Sequence, residues 1–345
     1  MTRSENEMTR ISKKSLGNLT LPRFYVPALA LFLIALTPFL ISNSYIINVL
    51  IITMLFAVLS GAWNILGGYT GQFSMGHAAF FGIAAYTSTI LFLDWGISPW
   101  IGMFIGFGIS MVIGLSTGVL FFKLNGPYFT FATIAFAETL RILFMNLTPL
   151  TGGANGLNLP FLGNSPINFQ FSGRTPFYMI ILLLLVGVIF LTYKIRNSRI
   201  GLRFIAIRED EKAAQSLGIN VLHHKLLALT ASVFFVSLAG TFYAQFMLFI
   251  DPESTMSLNL SILIVLSAII GGTGSILGPI LGSFLLRPLG EITRVFFGGS
   301  FAGASLLIYG IILILTLLYL PHGITDKIAK SYESALKKLP GGHSN

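Results

Sequence analysis

The sequence YIINVLIITMLFAVLSGAWNIL, which occupies residues 45–66, runs for 22 residues without one charged side chain. An α-helix needs about 20 apolar residues to cross the roughly 30 Å hydrocarbon core of a bilayer. The stretch is therefore predicted to be a transmembrane helix. Because comparable apolar runs lie on both sides of it, the chain as a whole is predicted to be an all-α, multi-pass integral membrane protein.

The composition favours the same class. Of the 345 residues, 54% are hydrophobic and only 10% are charged, whereas ordinary soluble proteins carry about 25% charged residues. A soluble body with so few charges would expose large apolar patches. The net charge of +9 arises from Lys and Arg that lie mostly between or outside the apolar runs. The predicted surroundings are therefore membrane lipid, and no nucleic-acid partner is expected.

Catalytic and metal chemistry have little support in the sequence. The chain contains no Cys and only five His, which excludes disulfides and thiolate ligands and leaves no helix-spaced metal motif. No Gly-x-x-x-x-Gly-Lys-Ser/Thr phosphate loop occurs, so any ATP site would lie on another polypeptide. We predict no catalytic residue, no metal and no cofactor.

The apolar runs predict about ten transmembrane helices. The predicted spans cover residues 25–41, 45–66, 72–93, 97–122, 127–147, 176–193, 226–250, two spans within 258–297 that are separated at 271–274, and 302–320. The run at 25–41 follows a basic segment. Because its end lacks a small-residue cleavage pattern, it is predicted to be a retained span rather than a signal peptide.

The distribution of Lys and Arg predicts the orientation. These residues concentrate in segments 1–23, 194–225 and 324–345, and positive charge favours the cytoplasmic side. Both termini are therefore predicted to be cytoplasmic, and the parity of the spans puts the loop 148–175 and the turn 251–256 outside. The predicted organisation is a basic N-terminal segment at 1–23, a transmembrane domain at 24–323 and a cytoplasmic tail at 324–345.

The polar segment 194–225 is far longer than a turn between neighbouring spans requires. Acidic residues where a second short helix would begin, and Gly218 where it would end, predict two short helices. The second would present Ala213, Ala214 and Leu217 as a small apolar face for a cytoplasmic partner; a solvated loop is the alternative. The residues assigned to this docking surface are Arg208, Glu209, Asp210, Glu211, Ala213, Ala214 and Gly218.

Glycines interrupt the apolar pattern at two corresponding places, Gly67-Gly68 with Gly71 and Gly271-Gly272 with Gly274. Broken helices can expose backbone groups to polar cargo in transporters, but small residues also permit close helix packing, and both interpretations stay open. The candidate residues of a translocation path are Asn64, Gln72, Ser74, His77, Gly271, Gly272 and Gly274.

Two further charges lie within a predicted span. Glu138 and Arg141 are three residues apart, so one helix face can bring them together. We interpret them as a structural ion pair, with contact to cargo as the alternative. His77 is interpreted as a packing histidine rather than a proton relay.

Five stretches together resemble a known family. They are GQFSMGHAAFFGIAAY at 71–86, TIAFAETLR at 133–141, TGGANGL at 151–157, AIREDEKAAQSLGIN at 206–220 and IGGTGSILGPILG at 270–282. Their order and spacing resemble the branched-chain amino acid ABC permeases of the LivM type. In one respect the chain departs from the Glu-Ala-Ala-x-x-x-Gly pattern of many ABC importers, because Lys212 precedes Ala213-Ala214 and the acid, Glu211, lies one place earlier.

The resemblance implies a non-catalytic permease subunit of an ATP-driven importer that moves leucine, isoleucine and valine across the inner membrane by alternating access. It also implies a second permease subunit of the LivH type, two cytoplasmic ABC ATPase subunits and an extracytoplasmic substrate-binding protein. The alternatives are an ABC permease for another amino acid, urea or an amide, and an ion-coupled secondary transporter of small polar solutes. An integral membrane enzyme would need converging catalytic groups, which the sequence does not suggest.

Overall fold

The computed structural model describes residues 43–124 and 126–297, together with isolated positions between 34 and 40 and between 307 and 325. By its contacts the chain divides into two units, Met1–Ile47 and Asn48–Asn345. The first residues of α1 belong to the first unit, and every contact described below lies in the second. The predicted spans 25–41 and 302–320, the N-terminal segment and the cytoplasmic tail lie almost entirely outside the described residues.

Ten main helices follow one another in the described residues. They are α1 (Ser44–Thr70), α2 (His77–Trp95), α3 (Pro99–Phe121), α4 (Pro127–Asn146), α5 (Arg174–Arg196), α6 (Arg199–Glu209), α7 (Glu211–Ser216), α8 (Val221–Met247), α9 (Leu258–Gly271) and α10 (Gly278–Phe297). Single helical turns at Thr148–Thr151 and Pro252–Met256 accompany them.

Seven segments are long and apolar enough to cross a membrane: α1 to α5, α8, and Pro252–Gly271, which contains α9. The predicted multi-pass helical class is thereby confirmed. The helix α10 contains Arg287, Glu291 and Arg294 and is not among the seven. The predicted total of ten spans stays a prediction, because its first and last members fall outside the described residues.

Helices α2, α3 and α8 pack closely against one another, and small residues bring them together. The buried face of α3 repeats every four residues, with Gly102, Gly106, Ser110, Gly114 and Gly118. A Cβ atom added at Gly106 would lie 3.0 Å from the Cα of Ala84 on α2. On α8, a Cβ atom at Gly240 would lie 2.2 Å from the carbonyl oxygen of Phe81. These helices therefore touch through their backbones, as small residues permit within membranes.

One end of the bundle is closed by a long loop and a short turn. Strand β1 (Leu157–Asn158) pairs antiparallel with β2 (Phe249–Ile250), so that Leu157 lies opposite Ile250. The indole of Trp100 donates a hydrogen bond to the Pro166 carbonyl oxygen at 2.8 Å. The predicted loop 148–175 and turn 251–256 therefore share one end, as the predicted topology requires. Following the predicted orientation, we use the name outer end for this end and inner end for the opposite one.

At the inner end two glycine-containing segments interrupt the helices. Here we define the first glycine segment as residues 67–76 and the second as residues 271–278. Of the predicted break at Gly67-Gly68 with Gly71, only the last glycine lies outside the helix: α1 continues through Gly67 and Gly68 to Thr70, and the chain turns at Gly71, where φ is +73°. The predicted span at 72–93 consequently begins only at His77. The second departure from helix follows Gly271, where α9 ends.

Candidate functional site

The polar segment folds as two short helices, α6 and α7, and each begins at a side-chain cap. The hydroxyl of Ser198 accepts a hydrogen bond from the Gly201 N–H at 3.3 Å. The carboxylate of Asp210 accepts from the N–H groups of Lys212 and Ala213 at 2.8 and 3.0 Å. These two backbone hydrogen bonds hold the pKa of Asp210 below its ordinary value, because they stabilise the ionised form. Asp210 therefore fixes where α7 starts.

Helix α7 ends at a glycine in the left-handed conformation. Gly218 has φ of +79° and donates its N–H to the Gln215 carbonyl oxygen at 2.9 Å, while Ile219 donates to the Ala214 carbonyl oxygen at 3.1 Å. This pair of hydrogen bonds is the Schellman motif, which satisfies carbonyl groups at a helix end. A side chain at position 218 would have to adopt a strained backbone conformation.

The predicted apolar face of α7 divides between the interior and the surface. The methyl group of Ala214 is buried and packs with Ile207 of α6 and Val221 of α8. Ala213 is exposed, and Leu217 is 79% exposed. Ala214 consequently packs inside the protein, whereas Ala213 and Leu217 are the members of the face that a partner can reach.

Arg208 connects α6 to both glycine segments. Its Nη1 donates to the Gly68 carbonyl oxygen at 3.1 Å, which lies in the last turn of α1, where carbonyls lack partners within the helix and a cation is favourable. A Cβ atom at Gly71 would lie 3.0 Å from Arg208 Cγ, and one at Gly274 would lie 2.7 Å from Arg208 Nη1. Arg208 also binds the Glu209 carboxylate, with Nη2 at 2.8 Å from Oε1. The arginine therefore occupies space that the two glycines leave open.

Glu211 makes a second connection from the polar segment. Its Oε1 accepts a hydrogen bond from Gln72 Nε2 at 3.0 Å and lies 2.5 Å from Lys225 Nζ. The side chain of Lys225 is only 1% exposed, and its Nζ lies 5.7 Å from the centre of the Phe122 ring. Glu211 thus joins α7 to the first glycine segment and to the start of α8.

Asn64 holds the two glycine segments together. Its Oδ1 accepts from the Gly274 N–H and its Nδ2 donates to the Ser275 carbonyl oxygen, both at 2.8 Å. A Cβ atom at Gly68 would lie 2.6 Å from the Gly274 nitrogen. Both polar groups of the Asn64 amide are therefore hydrogen-bonded to the second glycine segment. The backbone of that segment passes directly against α1.

Two other candidate residues stabilise the start of α2. The Ser74 carbonyl oxygen accepts from the Trp63 indole at 2.7 Å, and the Ser74 hydroxyl accepts from the Gly76 N–H at 3.2 Å. The buried His77 ring has Nε2 at 2.8 Å from the Ser232 hydroxyl on α8. This contact fits the interpretation of His77 as a packing histidine.

Glu138 and Arg141 meet on α4, and a third residue joins them. Arg141 Nε lies 3.1 and 3.0 Å from the two carboxylate oxygens of Glu138. Its Nη1 lies 2.7 Å from Glu253 Oε2 in the outer turn. The ion pair therefore ties α4 to the turn that follows α8.

Sequence reasoning missed Lys225, Glu253 and Ser232 as contributors. Lys225 belongs to the segment 194–225 that was predicted to be cytoplasmic, but no helical spacing relates it to Glu211, which lies fourteen positions earlier on another helix. Glu253 lies in the predicted external turn 251–256, for which the sequence indicated no contact. Among the described residues, no group of three or more His, Asp or Glu is placed to hold a metal ion.

A bundle of apolar helices whose polar segment is hydrogen-bonded to glycine segments at one end has the features of a multi-pass membrane transport subunit. Over residues 45–317 the chain matches the family described as branched-chain amino acid transport system / permease component. The chain belongs to this family, which confirms the resemblance seen in the sequence.

Two relatives, LivM and LivH, agree with that assignment. The chain is 29% identical over 347 residues to the high-affinity branched-chain amino acid transport system permease protein LivM of Escherichia coli K12, covering 90% of this chain and 80% of that protein. It is 25% identical over 287 residues to LivH of Salmonella typhimurium, covering 79% and 91%. A solved structure, PsaBC from Streptococcus pneumoniae in complex with Fab, aligns with 87% of this chain and 99% of that chain, at a TM-score of 0.47 and 16% identity.

Proposed function

We propose that this chain is the transmembrane permease subunit of an ATP-driven ABC importer that carries branched-chain amino acids across the inner membrane. Its partners would be a second permease subunit of the LivH type, two cytoplasmic ABC ATPase subunits and an extracytoplasmic substrate-binding protein. Family membership and the LivM and LivH relatives support this proposal. The observation that carries it is the polar segment itself, which is capped at each helix and hydrogen-bonded to the first glycine segment.

In this proposal the polar segment receives the movement of an ATPase subunit. Ala213 and Leu217 supply an exposed apolar face at which a groove on the partner can bind. The capping of α7 by Asp210 and the Schellman motif at Gly218 make this six-residue helix a defined shape despite its length. A rigid helix transmits displacement, whereas a solvated loop would absorb it.

The displacement would reach the transmembrane helices through two polar contacts. Arg208 binds the Gly68 carbonyl and Glu211 binds Gln72, so movement of α6 and α7 pulls on the first glycine segment at two points. Asn64 extends the connection to the second glycine segment. An ATP-driven change at the polar segment could in this way shift the balance between inward-open and outward-open states.

The two glycine segments would form the inner constriction of the passage. Leucine, isoleucine and valine are zwitterions with apolar side chains, so a passage for them needs weak polar contacts and no tight site. Asn64, Ser74 and His77 already have protein partners, which favours a role for them in shaping this constriction. The backbone of Gly271, Gly272 and Gly274, together with Gln72, would then present the polar groups nearest to the cargo.

The orientation follows from the charge distribution. We propose that both termini and the polar segment face the cytoplasm and that the loop 148–175 faces the substrate-binding protein outside. The contact between this loop and the turn after α8 supports a common side for the two.

The direct test is uptake of radiolabelled leucine by proteoliposomes that contain the chain, its second permease and the ATPase subunits, with the binding protein added outside. We expect uptake only with internal ATP and all components. Uptake by the chain alone, driven by an ion gradient, would contradict the proposal and favour a secondary transporter.

The docking surface has a matched test. Leu217→Glu places a charge on the exposed face of α7, and we expect it to reduce co-purification of the ATPase subunit at least tenfold. Ile167→Glu changes an equally exposed residue, 77% against 79%, in the loop at the outer end and should leave co-purification unchanged. Equal co-purification of both variants would overturn the docking claim.

A further inference from the structure

Among the seven candidate spans of the described residues, helix α4 has the smallest buried share. Its buried residues are Phe129, Thr133 and Ala137, which are four positions apart and so form one narrow stripe. The opposite side is exposed and is formed by Tyr128, Phe131, Ala135, Thr139, Ile142 and Asn146. We call this exposed side, together with the adjoining Glu138, the α4 face.

The α4 face carries a charge near the middle of the helix. Glu138 is the twelfth residue from Pro127, so at 1.5 Å per residue it lies about 17 Å from that end. Its side chain is 39% exposed although it is paired with Arg141, and the neighbouring Thr139 is exposed as well. A partly exposed carboxylate in contact with hydrocarbon at this depth is costly. The α4 face is therefore poorly suited to lipid.

Helices α3 and α5 provide the contrast. The exposed residues along the middle of α3 include Ile105, Ile109 and Val112, and those of α5 include Leu183 and Phe190. All five are apolar and need no hydrogen-bond partner in hydrocarbon. Among α3, α4 and α5, it is α4 that exposes a charged side chain at mid-height.

We propose that the α4 face is the surface that binds the second permease subunit, and that this partner presents hydrogen-bond donors against Glu138 and Thr139. The occupant must itself span the membrane, because the face lies at the height of the hydrocarbon core, where a soluble ATPase or binding protein does not reach. The small side chain of Ala135, one turn from Thr139, allows a partner helix to approach closely. This inference rests on the proposed function only in that an importer of this kind contains a second permease.

Three phenylalanines of similar exposure make a matched experiment. Phe131 on α4 is 66% exposed, Phe104 on α3 is 58% exposed and Phe190 on α5 is 63% exposed. Each is replaced in turn by the photoreactive analogue p-benzoylphenylalanine, the complex is assembled and illuminated, and adducts are identified by mass spectrometry. We expect an adduct with the second permease from position 131 and none from positions 104 and 190.

A second measurement tests the same face without photochemistry. Thr139→Trp should reduce co-purification of the second permease at least tenfold. Val112 on α3 lies at a similar height and is 64% exposed. Val112→Trp should therefore leave co-purification of the second permease unchanged. Thermal unfolding of the isolated variants checks that both remain folded.

The outcomes separate this inference from the proposed function. Three outcomes would each overturn the inference and leave the importer function standing. The first is an adduct from position 104 or 190 in place of 131, and the second is an adduct between two copies of this chain at position 131. The third is the absence of any adduct in a complex that takes up leucine with ATP. An adduct with the second permease at 131, in a complex without ATP-dependent uptake, would support the inference and contradict the function.

Discussion

Neutralising Glu211 should destabilise the inner end of the bundle because it leaves a buried ammonium without its counter-ion. Lys225 is 1% exposed and its Nζ lies 2.5 Å from Glu211 Oε1. Removing one partner of a fully buried ion pair costs about 3–5 kcal/mol. Since the Glu211 side chain is 34% exposed, water screens part of this interaction, and we expect Glu211→Gln to cost about 2 kcal/mol.

A double-mutant cycle isolates the contribution of the pair. Lys225→Met keeps the buried aliphatic stem and leaves a partly solvated carboxylate, so it should cost less than Glu211→Gln. In the double variant the buried charge of Lys225 is gone, so Glu211→Gln should add little to the loss of stability caused by Lys225→Met. The expected coupling energy between the two residues is therefore about 1–2 kcal/mol. The assay is unfolding in denaturant of the purified chain. Additive effects of the two substitutions would refute the reasoning.

The same substitution also has a predicted effect on transport. Glu211→Gln weakens one of the two connections between the polar segment and the first glycine segment, while the exposed face of α7 is unchanged. We expect the amount of leucine imported per ATP hydrolysed to fall, with ATPase association preserved. Asp94→Asn is the control, because Asp94 is exposed at the outer end of α2, away from the polar segment and from both glycine segments. A loss of association, or an equal effect of both variants, would contradict the proposed linkage.

Three further outcomes are expected. Because the chain has no Cys, the single variants Leu217→Cys and Ile167→Cys can each be labelled at one site. An impermeant maleimide should react with Cys at position 167 in intact cells and with Cys at position 217 only in inside-out vesicles. The reverse result would overturn the topology. Asn64→Leu leaves an N–H and a carbonyl of the second glycine segment without partners. At roughly 1–3 kcal/mol per group this should lower the free energy of unfolding by about 2–6 kcal/mol; wild-type stability in denaturant would refute this. Gly240→Ala puts a Cβ 2.2 Å from the Phe81 carbonyl oxygen and should cost about 1–3 kcal/mol by overpacking, whereas an unchanged melting temperature would show that α2 and α8 can separate freely.

The positions of most spans were predictable because a bilayer imposes a minimum apolar length. The predicted runs 97–122 and 127–147 correspond to Pro99–Phe121 and Pro127–Asn146. At the first glycine segment the same reasoning misplaced the boundary. For Gly68 the sequence left a helix break and close packing both open; in the structure its missing side chain serves the close passage of the second glycine segment, with which a Cβ atom would clash. A glycine in the sequence does not distinguish these two uses.

Contacts between distant segments were beyond the reach of the sequence. Asn64 binds Gly274 and Ser275, which lie more than 200 positions later in the chain, and no periodicity in the sequence relates them to Asn64. The orientation of α7 was equally inaccessible, because a helix of six residues shows less than two turns of pattern. Ala213 and Ala214 look alike in the sequence, yet one is exposed and the other is packed against Ile207.

The contact that joins α4 to the turn after α8 differs in kind from the contacts that join the polar segment to the glycine segments, and the difference bears on how movement would travel. At the inner end, Arg208 and Asn64 bind backbone atoms of the glycine segments, so a displacement of either side chain acts directly on the main chain. At the outer end, Arg141 binds the 62% exposed side chain of Glu253, which can adjust by changing its rotamer. Contacts to the main chain transmit force without that freedom. We therefore expect the glycine segments to follow the polar segment as one unit, while the outer turn accommodates the resulting change in α4.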